Sequence, residues 1–369
     1  MTTGEDQPLQ LTVRVPAGAD EPASAATTDV PLDERKLVVL RAIVTEYIAH
    51  GEPVGSKRVV QSAGLDVSAA TVRNEMAALE EFGLIEQPHT SAGRVPTDLG
   101  YRRFVDDLRA NAQLDDPRQE LVEELLGSAR DVEDLLARTS TVLSQLTRLV
   151  SLVIAPAMDA SRLKLVELVS LTPGSALLLL VADTGRVEKR LVELPATTTE
   201  SDLDRVRVVL SEHVRGHRLG EVHGVLDEMV EEAPADLREI LVGLRDATTS
   251  GLSDDTLHHV FVGGQAALVG EETFERDQLS RVLELLEERV TLARLLADAT
   301  ADDDAVVRIG NENQVEDLHA TSLVAQRYQL VTAGSLGVLG PTRMDYARVL
   351  AAVRAVADQL QETLTDLSS

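Results

Sequence analysis

The stretch Ser68-Ala-Ala-Thr-Val-Arg-Asn-Glu-Met-Ala-Ala-Leu-Glu-Glu-Phe-Gly83 decides how this chain is read. Ser68 is placed to cap a helix by accepting from its first backbone N–H groups, and Gly83 is placed to end it. At helical spacing Val72, Met76 and Leu79 share one face and would be buried. The opposite face presents Ala70, Asn74, Ala77 and Ala78, flanked by Thr71 and Arg73. Small residues let a helix enter the major groove of DNA. Asparagine can pair bidentately with adenine and arginine with guanine, and threonine can touch a thymine methyl. The first turn, with Ser68 and Thr71, also has unpaired N–H groups that favour a phosphate. This layout alone fits any small three-helix domain, so the neighbouring sequence must arbitrate.

Upstream, Leu37, Leu40, Ile43, Val44, Tyr47 and Ile48 recur at helical spacing from Leu32 onward. That helix stops at His50-Gly51, and Pro53 prevents its continuation. A short helix from about Ser56 to Ala63 follows, with Gly64 making the turn; its Lys57 and Arg58 are suited to clamping a phosphate backbone. Downstream, residues 84–96 read as two short strands, and Thr97 caps a helix carrying Tyr101, Arg102, Phe104, Val105 and Leu108. Helix, helix, turn, helix, hairpin is the winged-helix order. The hairpin segment Gln87-Pro-His-Thr-Ser-Ala-Gly-Arg94 supplies His89, Thr90, Ser91 and Arg94 without an apolar face. It is either a solvated hairpin or a wing that reaches a groove. The following Arg102-Arg103 pair favours the wing.

Beyond Pro117 two amphipathic helices carry Leu121, Leu125, Val132, Leu135, Leu136, Val142, Leu146 and Leu149. Strands are predicted at 151–155, 164–171, 176–182 and 186–194, the last two a hairpin around Asp183-Thr-Gly185. Residues 200–256 read as helical and acidic. A strand at 259–262 precedes one long helix from about Phe274 to Ala297, built on Leu279, Val282, Leu286, Val290, Ala293 and Leu296. Strands near 306–309, 323–328 and 335–339 lead to a final helix from Arg343 to about Leu364, with Thr342 as its cap and Asp345 closing a capping box. This is an α+β chain interrupted by a helical insertion. Residues 1–31 read as a flexible tail, with Leu9 to Val15 as its one strand-like piece.

A length of 369 residues suggests two or three domains, and 44% hydrophobic residues suffice for their cores. Aromatics are only 2% and tryptophan is absent, so those cores rest on Leu, Val, Ala and Ile. The absence of cysteine excludes disulfide and thiolate chemistry and fits a reducing cytosol. No signal peptide or membrane span is expected: the most apolar stretch, 168–182, is short and is broken by Pro173-Gly174. The net charge of −27 argues on its face against nucleic acid. It is unevenly spread, however. Residues 32–109 hold 10 Lys and Arg against 12 Asp and Glu, while the remainder holds 25 against 50.

Phosphate-loop, dinucleotide, zinc-protease and nucleophile-elbow motifs are absent, so no enzyme activity, cofactor or metal is expected. His258-His259 would point to opposite faces of a strand, and the acidic run at 302–304 reads as a solvated loop.

Four segments of the N-terminal region carry a resemblance: residues 51–57, 68–80, 87–97, and Gly100-Tyr-Arg102. Near the other end stand Ile309-Gly-Asn-Glu-Asn313 and Gly337-Val-Leu-Gly-Pro-Thr-Arg-Met-Asp-Tyr346. Together, in this order, they closely resemble the HrcA family of heat-inducible transcription repressors. The resemblance runs from Leu32 to the C-terminus; the first thirty or so residues fall outside it, and residues 200–270 match only in general character. It implies a winged helix-turn-helix at 32–110 and a helical linker with the first part of a GAF-like domain at 111–200. An inserted dimerising domain at 201–258 and the rest of the GAF-like domain at 259–369 would follow. It also implies a cytoplasmic, nucleoid-associated homodimer on an inverted-repeat operator of chaperone genes, with activity supported by a GroE-type chaperonin. DNA contact is carried to Lys57, Arg58, Ser68, Thr71, Arg73, Asn74, His89 and Arg94, inside or beside the matching motifs. Thr90, Ser91, Arg102 and Arg103 complete the candidate set from the hairpin and its flank. Two rivals stand beside this reading. One is a regulator whose GAF-like domain senses a metabolite; the other is an enzyme or scaffold that uses the winged helix only for protein contacts.

Overall fold

A computed structural model describes residues 32–89, 93–108, 116–156, 161–252, 260–269, 276–300, 305–329 and 333–368. The expected tail at 1–31 with its strand-like piece, Thr90, Ser91, His258-His259 and the acidic run at 302–304 lie outside these residues.

The chain begins with α1 (Glu34–His50), α2 (Ser56–Ser62) and α3 (Ala69–Glu81). Asp33 caps α1 by accepting the Lys36 N–H at 2.9 Å, and Gly51 ends it in the left-handed region at φ 71°. Strands β1 (Ile85–Glu86) and β2 (Val95–Pro96) pair antiparallel, and α4 (Asp98–Leu108) follows, its Gly100 N–H bonded to the Thr97 hydroxyl at 3.1 Å. Val39, Leu40, Ile43 and Val44 of α1 bury against Val59 of α2 and Val72, Met76 and Leu79 of α3. Helical periodicity alone predicts this stripe.

Next come α5 (Asp116–Gly127), α6 (Val132–Thr147) and β3 (Val150–Ile154). A second unit follows, made of β4 (Leu163–Thr172), β5 (Ser175–Ala182), β6 (Val187–Glu193), α7 (Glu200–His213), α8 (Val222–Glu232) and α9 (Ala235–Leu252). The chain then returns through β7 (Val260–Gly263), α10 (Gln265–Val269), α11 (Arg276–Glu287) and α12 (Arg289–Ala299). It closes with β8 (Val306–Ile309), β9 (Thr321–Gln329), β10 (Ala333–Pro341) and α13 (Tyr346–Ser368).

The body is an antiparallel five-stranded sheet in the order β7-β3-β10-β9-β8. Val153, Val324, Leu336 and Val338 face α6 and α13 on one side, whereas Val150, Leu152, Leu323, Ala325 and Leu339 face α11 and α12 on the other. Covering both sides explains why β3 does not alternate: Val150, Leu152 and Val153 are all buried, and so is Ser151 between them, its hydroxyl donating to the Ser140 carbonyl at 2.5 Å. The second unit has its own core. Val166, Leu168, Leu178, Leu180 and Val192 of the β4-β5-β6 sheet bury against Leu203, Leu210, Leu226, Leu237 and Leu241 of its helices. It is spliced between β3 and β7, which are hydrogen-bonded neighbours with Ile154 opposite Val260. A border at 200/201 would cut through this core: β4–β6 belong with the helices that follow them, not with the main sheet.

Two further expectations change. The long helix from Phe274 is two helices, broken at Glu288, whose ψ of 76° is not helical. Nothing in Glu287-Glu288-Arg289 marks that break. It belongs to the packing that buries Leu285 and Leu286 on one side of it and Leu292 and Leu295 on the other. The last helix starts at Tyr346, not Arg343. Asp345 accepts the Arg348 N–H at 3.1 Å, and the Thr342 carbonyl accepts the Tyr346 hydroxyl at 2.7 Å. Residues 342–344 stay outside the helix because Met344 is buried in the core and the Arg343 guanidinium lies against Gly51. No helix among the described residues is long and apolar enough to cross a membrane.

Candidate nucleic-acid interface

Helix α3 turns its apolar residues inward and leaves Ala70, Arg73, Asn74 and Ala77 exposed, with Ala78 half-buried at the margin. Ser68 caps the helix: its hydroxyl accepts the Thr71 N–H at 3.1 Å and lies 3.0 Å from the Thr71 hydroxyl. Both hydroxyls therefore have local partners, at the end where helix N–H groups face solvent. Lys57, Arg73, Asn74 and His89 are exposed and make no hydrogen bond or ion pair among the described residues. Arg58 is exposed too, but it turns back onto α1, pairing with Glu46 and lying 2.8 Å from His50.

The hairpin is tied to the helices at two places. Val54 and Arg94 exchange backbone hydrogen bonds of 2.9 Å in each direction. The Arg94 guanidinium reaches Glu80 on α3 at 3.0 and 2.8 Å. Arg94 thus holds the hairpin against the last turn of α3. Another carboxylate of this helix is similarly engaged: Glu75 pairs with Lys36 at 3.3 Å and Arg35 at 3.7 Å. Such exposed pairs contribute little stability. Their effect is on the local field, because Glu75 and Glu80 are neutralised internally and Arg73 is left unopposed on the outer face.

Arg102 and Arg103 follow the hairpin in sequence, but Arg102 does not join it in space. Arg102 is engaged elsewhere. Its Nε donates to Glu312 at 2.7 Å and its guanidinium reaches the Val307 carbonyl at 2.5 Å. Burial pulls its pKa down, but the Glu312 carboxylate more than offsets this and holds it above the ordinary arginine value. Arg103 is half-buried on the same helix. The structure therefore brings together Lys57, Ser68, Thr71, Arg73 and Asn74, sets His89 and Arg94 on the adjoining hairpin, and puts Arg102 at the junction with the body.

That junction is what residue-by-residue reading missed, although its motifs were visible at both ends of the chain. Tyr101 and Tyr346 lie with ring centroids 5.7 Å apart at 47°. The Tyr101 hydroxyl is buried with no hydrogen-bond partner among the described residues, and burial pushes its pKa up. Tyr101→Phe removes that unpaired group, so it is expected to leave stability unchanged or raise it by about 1 kcal/mol. A lowered urea-unfolding midpoint would show that the hydroxyl has a partner after all.

Comparison with known proteins supplies the context for this arrangement. Residues 133–350 match the family described as "HrcA protein C terminal domain". A relative from Parafrankia sp. (strain EAN1pec) is 42% identical over 335 residues, covering 90% of this chain and 99% of its own length. Another, from Rhodococcus jostii (strain RHA1), is 43% identical over 344 residues, covering 90% and 99%. Both are named "Heat-inducible transcription repressor HrcA". A solved structure described as "Crystal structure of a hypothetical protein at 2.2 A resolution" superposes with a TM-score of 0.64 at 23% identity, covering 92% of this chain and all of that one. At that identity it speaks for the fold alone.

Proposed function

This chain belongs to the HrcA family of heat-inducible transcription repressors, a family of regulators and not of enzymes, and we propose that it represses by reading an inverted-repeat operator as a homodimer. In this reading residues 32–108 are a winged helix-turn-helix, α3 is the recognition helix, and the β1–β2 hairpin is the wing. The observation that carries it is the outer face of α3. There Arg73 and Asn74 stand exposed between small residues with no partner among the described residues, while Glu75 and Glu80 are closed into ion pairs. That arrangement fits base recognition in a major groove.

An inverted repeat is matched by a two-fold dimer. The outer face of β4–β6 supports this pairing. Val169, Leu177 and Leu191 lie side by side across the three strands, and so do Leu165, Val181 and Val187. Leu191 is 64% exposed and Leu171 52% in the single chain. A second copy would cover such an apolar patch and would draw together two strongly acidic chains that otherwise repel. The five-stranded body takes the GAF-like role. The reading further takes chaperone operons as the targets, release when unfolded protein occupies a GroE-type chaperonin as the switch, and the cytoplasm as the location; membership of a heat-inducible repressor family supports it.

The direct test is titration of an inverted repeat against one half-site over a salt series. Binding is expected to be much tighter to the repeat. The salt slope should be shallow, because the module itself carries nearly balanced charge and the body is acidic. Equal affinity for both DNAs, or a slope equivalent to on the order of ten phosphate contacts, would overturn this reading.

A further inference from the structure

Three residues on one face of α4, at positions i, i+3 and i+4, make polar and aromatic contacts between the N-terminal module and the body, beside the Arg343 guanidinium that lies against Gly51. The Asp98 carboxylate accepts from the Asn311 backbone N–H and side-chain amide, both at 3.2 Å. Tyr101 packs on Tyr346. Arg102 closes on Glu312 and the Val307 carbonyl. The receiving turn is shaped for this. Gly310 sits at φ 52°, and a Cβ there would collide with the Asp98 carboxylate. Glu312 is itself oriented by the Ile309 N–H at 2.8 Å. The two polar pairs have opposite sense, acceptor to donor at Asp98 and donor to acceptor at Arg102. A slip or rotation of α4 would set Asp98 against Glu312, so the contact defines a single register.

We propose that Asp98, Tyr101 and Arg102 are positioning residues, not DNA contacts. They lock the reading module to the body at one angle, so that a dimer presents its two α3 helices at the separation an inverted repeat demands. The proposal rests on the DNA-reading dimer described above. Its physical basis is bivalency. The second head binds at a high effective concentration only while its orientation is held, and a loosely hinged head forfeits part of that advantage.

The chain has no cysteine, so labels can be placed cleanly. Gln61→Cys on α2 and Glu362→Cys on α13, both exposed, would carry spin labels for distance measurement within one chain of a mixed dimer. In the otherwise unaltered protein one narrow distance distribution is expected. Arg102→Ala and, independently, Asp98→Ala should broaden it, and Arg102→Lys should restore part of it. In gel shifts the alanine variants should lose on the order of 10–100-fold in affinity for the inverted repeat while keeping half-site affinity. Circular dichroism would confirm that each variant is folded.

An equal loss on half-site and repeat would make Arg102 a DNA contact and overturn the proposal. So would an unbroadened distribution with an unchanged repeat-to-half-site ratio. If the unaltered protein bound neither DNA, the repressor reading would fail. The distance measurement would still decide whether the lock exists.

Discussion

Asn74→Ala is expected to abolish operator discrimination while leaving the protein as stable as before. Asn74 is exposed on α3 and has no hydrogen-bond partner among the described residues, so truncation removes none of the contacts described. Alanine also suits a helix interior better than asparagine, which shifts stability slightly upward if at all. On DNA the same change deletes a bidentate base contact, which discriminates by about 1–3 kcal/mol. A symmetric dimer loses it twice, for a total of about 2–6 kcal/mol. Arg73→Ala should weaken binding comparably, with one difference. If Arg73 contacts phosphate instead of a base, the loss will be uniform across sequences and the salt slope will fall by about one per half-site. Gel shifts on operator and scrambled DNA, beside thermal unfolding, read both quantities. Retained discrimination in Asn74→Ala would remove α3 from the recognition role.

Leu191→Asp is the second change with a large expected effect, and it acts about a third of the chain away from the DNA-reading face. In the single chain Leu191 is 64% exposed, so an aspartate there meets water and the fold should tolerate it. In the proposed dimer the same carboxylate would be buried against Leu177 and Val169, with Lys189, two residues along the same face of β6, as a partial counter-charge. An incompletely compensated buried charge still costs several kcal/mol, and two-fold symmetry applies that cost twice. Sedimentation should find a folded monomer whose affinity for the inverted repeat has fallen to the half-site value. A variant that remained dimeric would place the interface elsewhere.

These two sites differ in how readable they were. Arg73 and Asn74 follow from local periodicity: Val72, Met76 and Leu79 had to point inward, so their neighbours had to point out. The caps at Ser68 and Thr97 and the stop at Gly51 were equally local, which is why α1, α3 and α4 lie where their residue types put them. Arg102 could not be placed this way, because its partner Glu312 is 210 residues further on. The runs at 163–193 read as strands. Which sheet they joined depended on pairing partners and on the helices covering them, so the border of the insertion was misplaced. The break at Glu288 is likewise a packing outcome with no residue to announce it.

The splicing of the second unit between β3 and β7 also sets an order of assembly. Val150–Ile154 is flanked by β7 and β10, and its partner Leu339 lies almost two hundred residues downstream of Val150. At typical elongation rates of about 5–20 residues per second, a new chain waits roughly ten to forty seconds before that strand can be covered on both edges. Residues 163–244 carry a self-contained core and can close much earlier. Pulsed hydrogen exchange during refolding should therefore protect β4–β6 before β3, since distant pairings form late. Until the C-terminal strands arrive, the nascent body keeps at least one edge of β3 unpaired. On the proposed chaperonin-dependent switch, that open edge is what a folding cage would meet during synthesis and during recovery from thermal unfolding.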